Sequence, residues 1–403
     1  MEILLETYHR LLDEIKPLYH RKFYDEFKPL PRLVGVVGAR GVGKTTFLLH
    51  YLRENYGKTE KALYVSADHL FFSENSLLDL VDSFYKEYAG ELLCIDEIHR
   101  YENWNQELKN IFDAYPKIRI IFSGSSSINL IKGKYDLSRR ASLQYLYGFS
   151  FREYLELKLK TSLPIFSFKK IIEQTQSTAN RISSTPKLLG YLKEYLREGY
   201  YPIFTELKLY QAYREALIGI IDKTIFEDIS SFYSLKTKNL DTFRKILYFI
   251  ATSAPGSINI NKLAKSLGKD HTTISEYLEM LRESSLLRYL LKDKRGHALV
   301  RNAEKIYLDN TNLIYAINDT IKKSSDIGLI RELFVISQLE NAGHKVFYSD
   351  EGDIKCEDFV LEIGGKGKSQ KGRGCSEKAI LVRDDILIGG PKDVPLYLFG
   401  FLS

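Results

Sequence analysis

The apolar positions of this chain change their spacing along its length. Leu33 to Val37 are five apolar or small residues in a row, which predicts a strand buried on both faces, as in a parallel sheet. The stretch 45–52, with Phe47, Leu48, Leu49 and Leu52, predicts a helix directly after it. Leu92 to Ile95 and Ile118 to Phe122 predict two more strands. Through 206–250 the spacing becomes three and four, with Leu207, Tyr210, Tyr213, Leu217, Ile220 and Ile221 marking amphipathic helices. A short helix within 257–268 follows, then a turn at Gly268 and a second helix over 270–281 striped by Ile274, Leu278 and Leu281. Residues 286–291 predict a strand with its turn at 292–297. Last come a helix over 327–342, a strand over 345–348, and a hairpin opened by Gly352-Asp353 that returns as 359–363.

Between the first strand and the first helix lies Gly38-Ala39-Arg40-Gly41-Val42-Gly43-Lys44-Thr45, a full match to the phosphate-loop pattern G-x-x-x-x-G-K-[ST], followed by Thr46. Glycines at 38, 41 and 43 let successive N–H groups face phosphates where a Cβ would clash or forbid a positive φ. Lys44 adds charge and Thr45 a hydroxyl for Mg²⁺, and the positive helix N-terminus points at the ligand. The alternative is a structural glycine loop. The strand 92–95 ends in Asp96-Glu97, the Walker B arrangement. Asp96 is expected at the metal and Glu97 at the attacking water, because γ-phosphoryl transfer needs charge neutralisation and an in-line nucleophile. The third strand delivers Ser123-Gly124-Ser125 at its C-terminal end, where ligands of open α/β sheets sit. Ser123 or Ser125 is the expected γ-phosphate sensor, against a Ser/Gly turn with no such contact.

These residues resemble a known family. The segment 38–46, "LLCIDEIHRYENWNQELKNIF", "IRIIFSGSSS", "LSRR" and "LYGFSFREYLEL" are similar in order and spacing to the prokaryotic AAA-type ATPases of the archaeal-ATPase-like clade, over roughly residues 30–205. The resemblance implies a P-loop NTPase parallel sheet, ATP and Mg²⁺. The chain departs from the family pattern at Arg139, which stands where a glycine is usual, at Tyr147-Gly148-Phe149, and at Tyr200. Arg140 or Arg139 is a candidate arginine finger acting on a neighbouring subunit or across a domain closure, the alternative being a surface turn.

Composition narrows the class. The 403 residues are 44% apolar, enough for two or three cores. Cys94, Cys356 and Cys375 are odd in number and widely spaced, so they support neither a disulfide framework nor a zinc site. The acidic, amphipathic Met1 to Glu6 is no signal peptide, and no apolar run approaches membrane-spanning length. The expectation is a cytoplasmic protein without a membrane partner. The net charge of +6 says little about nucleic acid. Its distribution adds a basic, glycine-rich loop with Lys366, Lys368, Lys371, Arg373 and Lys378, read either as solvated or as contacting phosphate.

The two helices and strand of 257–291 resemble a winged helix. Lys269, His271, Thr272, Thr273 and Ser275 are its expected DNA contacts, diluted by Asp270, Glu276 and Glu279; the same fold also serves as a protein-interaction module. Further on, Glu332, Asp353 and Glu362 resemble the carboxylate set of the restriction-endonuclease-like fold. Position 364, where the catalytic lysine is expected, is Gly, and the nearest lysine is Lys366. A degenerate, structural domain is the preferred reading over a nuclease.

The expected organisation is an N-terminal helical segment (1–32), a P-loop ATPase core (33–160), a helical lid or connector (161–250), a winged-helix domain (251–305) and a restriction-endonuclease-like α/β domain (306–403). Function is read as ATP hydrolysis with Mg²⁺ driving a switch or motor, with DNA, through the winged helix or the 366–378 basic loop, as one candidate target. The alternatives are a signalling or scaffold ATPase binding only an unidentified protein partner, and an ATP-regulated nuclease. Oligomeric state stays open.

Overall fold

The structure is a computed structural model describing residues 1–15, 19–125, 137, 139–233, 235, 237–253, 258–293, 303–367 and 379–402. The chain forms two compact units, Met1–Gly148 and Phe149–Ser403.

The first unit is built on five strands: β1 (Leu33–Gly38), β2 (Ala62–Ser66), β3 (Leu92–Asp96), β4 (Arg119–Ser125) and β5 (Ala141–Tyr145). They are ordered β2-β3-β4-β1-β5 and every pairing is parallel. Parallel strands need crossover connections, supplied here by helices Lys44–Asn55, Leu77–Tyr88 and Trp104–Ala114. Those layers bury β1 and β3 along their whole length. The consequence for function is that all five C-terminal ends share one edge. Val36 lies beside Ser123 and Ser66 beside Asp96, so the segments following β1 and β3 and the end of β4 meet at that edge. Helices Glu2–Glu14 and Lys22–Glu26 precede the sheet. Phe23, Tyr24 and Phe27 turn edge-on against Phe47, with ring centroids 4.9, 5.0 and 4.8 Å away, and so fasten the shorter one to the helix after the phosphate loop.

The second unit begins with helix Phe151–Leu159, closed at its start by a reciprocal Ser150/Glu153 capping box. This helix, expected at the end of the ATPase core, packs within the second unit: Phe151 meets Tyr195 and Phe401, and Tyr154 meets Phe204. Helices occupy the expected stretch 206–250, among them Tyr210–Lys223, which runs into a π-helical turn at Thr224–Ile229. Helices Ile260–Ser266 and His271–Glu283 then lead to β6 (Leu287–Leu290), which pairs antiparallel with β7 (Lys305–Leu308). That pairing crosses the boundary expected at 305/306. Most of the expected turn at 292–297 lies outside the described residues. After helices Thr311–Thr320 and Ile327–Asn341 comes a mixed sheet of β8 (Val346–Tyr348), β9 (Ile354–Cys356), β10 (Phe359–Gly364), β11 (Ala379–Arg383) and β12 (Asp393–Pro395), in sequential order. Asn312, wholly buried, ties this part to the earlier helices: its amide donates to the carbonyls of Tyr195 and Leu196, and its Oδ1 accepts from Tyr213 Oη at 2.6 Å. Of the basic loop at 366–378, only 366 and 367 are described.

Candidate nucleotide site

The phosphate loop leaves β1 at Gly38, where an added Cβ would sit 2.1 Å from the Leu146 carbonyl oxygen, so close approach rather than a positive φ demands glycine there. Gly41 and Gly43 do take left-handed values, 84° and 99°. Lys44 opens the following helix, buried, with Nζ donating to the carbonyls of Gly38 and Ala39 at 3.0 and 3.1 Å. Val42 is buried, Ala39, Arg40 and Thr46 half-buried, and Gly41 exposed.

Asp96, only 2% exposed at the end of β3, is the centre of the site. Its Oδ2 accepts from Thr45 Oγ1 at 2.5 Å and from Tyr64 Oη at 2.9 Å. Its Oδ1 accepts from the Glu97 N–H at 3.1 Å and from Ser123 Oγ. The Ser123 hydroxyl in turn accepts the Glu97 N–H at 3.1 Å. Hydroxyls from two strands and a helix thus converge on one carboxylate of a third strand. Glu97 follows with φ 50°, a strained conformation for a side-chain-bearing residue, and its carboxylate lies 3.3 Å from His99 Nε2. Burial, and next the Asp96 charge, push the Tyr64 phenol well above its ordinary range. Burial likewise raises the Cys94 thiol, two residues back along the same strand.

The fold gathers Thr45, Asp96, Glu97 and Ser123, which the sequence singled out separately. Sequence reasoning missed Tyr64, on a strand signalled only by the short apolar run Ala62-Leu63-Tyr64-Val65. It also missed Arg21, whose guanidinium reaches the Val42 carbonyl and for which no local signal exists. Ser125 ends β4, with its side chain outside the described residues, as are Ser126 and Ser127. Arg139 is exposed. Arg140 makes a two-pronged ion pair with Asp113, Nε to Oδ1 at 3.0 Å and Nη2 to Oδ2 at 3.1 Å.

The second set does not assemble as a metal site: among the described residues no three His, Cys, Asp or Glu side chains come together to hold a metal ion. Glu332 Oε2 instead accepts from Tyr307 Oη at 2.6 Å and Lys305 Nζ at 3.0 Å, and Asp353 Oδ2 accepts the Ile363 N–H at 2.7 Å. Glu362 is half-buried on β10, and Lys366 is exposed beyond that strand's end. Of the expected DNA contacts, His271 and Thr272 are exposed. Thr273 Oγ1 donates to Asp270, Ser275 Oγ to the His271 carbonyl, and Lys269 Nζ to Asn239. Among the described residues, no helix is long and apolar enough to cross a membrane.

Comparison with known proteins agrees with this geometry. Residues 31–155 match the family model of the AAA domain, and residues 189–324 match a domain of unknown function. The chain is similar to two uncharacterized proteins of Methanocaldococcus jannaschii. One is 27% identical over 68% of this chain and 60% of that protein; the other is 25% identical over 79% and 69%. The match thus spans 60% of the first relative's length. It is also similar to the Holliday junction branch migration complex subunit RuvB of Prochlorococcus marinus, 26% identical over 67% of this chain and 76% of that one. A phosphate loop, a buried Walker B carboxylate and a five-stranded parallel sheet within the matched segment make the first unit an AAA-type P-loop ATPase domain.

Proposed function

We propose that this chain hydrolyses ATP with Mg²⁺ and uses the cycle as a switch or motor. The observation that carries the reading is the meeting of Thr45 Oγ1 and Asp96 Oδ2 at 2.5 Å, one from the phosphate loop and one from the Walker B strand. A hydroxyl and a carboxylate are hard oxygen donors that fit Mg²⁺, which takes few protein ligands and completes its shell with water and phosphate oxygens. When bound, the metal neutralises charge on the phosphates. Lys44 and the loop N–H groups hold the β- and γ-phosphates, Ser123 and Tyr64 fix the Asp96 carboxylate, and Glu97 orients the attacking water and accepts its proton. Ser125 is the proposed γ-phosphate sensor and Arg140 the proposed finger. Lys44→Ala should abolish measurable nucleotide binding, whereas Glu97→Gln should keep ATP affinity and lower turnover by about 10²-fold or more. Wild-type turnover in Glu97→Gln removes that residue from the mechanism.

For what the cycle drives, DNA is the favoured target, supported by the relative whose name is Holliday junction branch migration. The winged-helix-like helices would present His271 and Thr272. Retention on duplex DNA that weakens steeply with salt is the expected result. A salt-independent pull-down of protein alone would favour the scaffold reading.

A further inference from the structure

We propose that Arg21 is a positioning residue that holds the phosphate loop in its anion-binding shape; the inference rests on the nucleotide-binding reading above. Arg21 lies in the N-terminal segment, outside both sequence motifs, yet it is only 9% exposed. Its Nη1 donates to the Val42 carbonyl at 3.2 Å, and its Nη2 donates to the carbonyls of Tyr147 and Gly148, both at 2.9 Å. One guanidinium therefore joins the middle of the loop to the last two residues of the first unit.

The consequence follows from peptide geometry. The peptide between Val42 and Gly43 is planar and trans, so its N–H points opposite to its carbonyl. With the Val42 carbonyl turned toward Arg21, the Gly43 N–H is turned away from it. On its C-terminal side this peptide is hinged by Gly43, at φ 99°, a residue with the freedom to let it flip. A flip would present a carbonyl oxygen where a polyanion needs a donor. Arg21 opposes that flip with a charge-assisted hydrogen bond and sets a buried positive charge behind the loop. Its own position is held by the neighbouring helix Lys22–Glu26, whose Phe23 and Tyr24 pack on Phe47 of the phosphate-loop helix.

The two nucleotides ATP and ADP share the phosphates that a loop of this kind cradles, so both should be affected alike. Arg21→Met, which keeps length and removes charge and donors, should weaken binding of ATP and of ADP each by about ten-fold, the scale of one lost charge-assisted hydrogen bond. The loss should appear in KM and in directly titrated affinity rather than in kcat, since Asp96 and Glu97 are held by other contacts. Arg21→Lys, which retains a charge but cannot reach all three carbonyls, should lie between Arg21→Met and wild type. A lowered melting temperature with unchanged affinities would overturn the proposal, as would a fall in kcat alone. If Arg21→Met does not fold, Arg21→Lys decides: wild-type affinity in that variant overturns the proposal. Lys44→Ala serves as the reference. If wild-type protein itself binds neither nucleotide, the underlying reading fails; if wild type binds, Lys44→Ala does not, and the Arg21 variants match wild type, only the role of Arg21 fails.

Discussion

Replacing Asp96 with alanine tests whether the converging hydroxyls stabilise the first unit or whether the buried carboxylate is a burden kept for function. The substitution strands two buried donors, Tyr64 Oη and Ser123 Oγ, whose residues are 8% and 0% exposed. Each unsatisfied buried donor costs about 1–3 kcal/mol, so the pair costs about 2–6 kcal/mol. Against that stands the relief of removing a charge that is 2% exposed, a term of several kcal/mol in the opposite direction when a carboxylate lacks partners. Here four donors compensate the charge, so the loss of partners should win, with a net destabilisation of about 2–3 kcal/mol.

The assay has a built-in reporter, because Trp104 is the single tryptophan of the chain and sits in the first unit with its ring 6.2 Å from that of Phe122 on β4. Its fluorescence follows unfolding of this unit alone. With a urea slope of about 2 kcal/mol per molar, the midpoint should fall by roughly 1–1.5 M. A double-mutant cycle assigns the cause: Tyr64→Phe should cost at least about 1 kcal/mol less in the Asp96→Ala background than in wild type. A midpoint that stays or rises, or a cycle without coupling, refutes the reasoning and makes the carboxylate a net cost to the fold.

Three further outcomes are expected. Arg140→Ala should change stability by under about 1 kcal/mol, since its pair with Asp113 is partly solvated, yet lower turnover by about 10³-fold with little loss of ATP affinity. Activity independent of concentration in a verified monomer excludes a finger from a neighbour. The Tyr64 phenol is held above its ordinary value of 10.0, so it favours the folded state while protonated: that stability is complete below about pH 10 and is lost as pH climbs toward the folded value. The Trp104-detected midpoint should therefore fall between about pH 9 and pH 11, less steeply in Tyr64→Phe; an equal slope in both refutes the assignment. Finally, the protein should not cut single- or double-stranded DNA or RNA in Mg²⁺ or Mn²⁺, with or without ATP, because Glu332 is already engaged by Tyr307 and Lys305 and Gly364 offers no side chain. Metal-dependent cleavage that vanishes in an Asp353→Ala, Glu362→Ala double variant would overturn this.

The contrast between what the chain discloses and what it hides follows the range of the interactions involved. The phosphate loop and Asp96-Glu97 are legible because each carries its chemistry in contiguous residues next to a fully buried, and hence uninterrupted, apolar strand. β5 left no such mark: its residues are half-buried or exposed, so Ala141–Tyr145 lacks the apolar run that betrays a central strand. Tyr64 and Arg21 are hidden for a different reason. Their partners lie 32 residues away in one case, and 21, 126 and 127 in the other.

The division of the chain shows the same principle at domain scale. Helix Phe151–Leu159 has a capping box and an apolar face that read as a continuation of the ATPase core, and nothing local distinguishes it from a core helix. Its buried face decides otherwise by meeting Tyr195, Phe204 and Phe401. β7 likewise pairs with β6 across the expected boundary at 305/306, and that ladder is set by Leu287 opposite Leu308 and Arg288 opposite Tyr307. Arg288 is then locked from the other side, its Nη1 donating to Glu340 at 2.8 Å and its Nη2 to Asn341 at 2.9 Å on helix Ile327–Asn341. A buried guanidinium with those partners cannot be pulled out of the ribbon without leaving charges uncompensated, at a cost of several kcal/mol. That is why residues expected to form separate winged-helix and C-terminal domains belong to one compact unit.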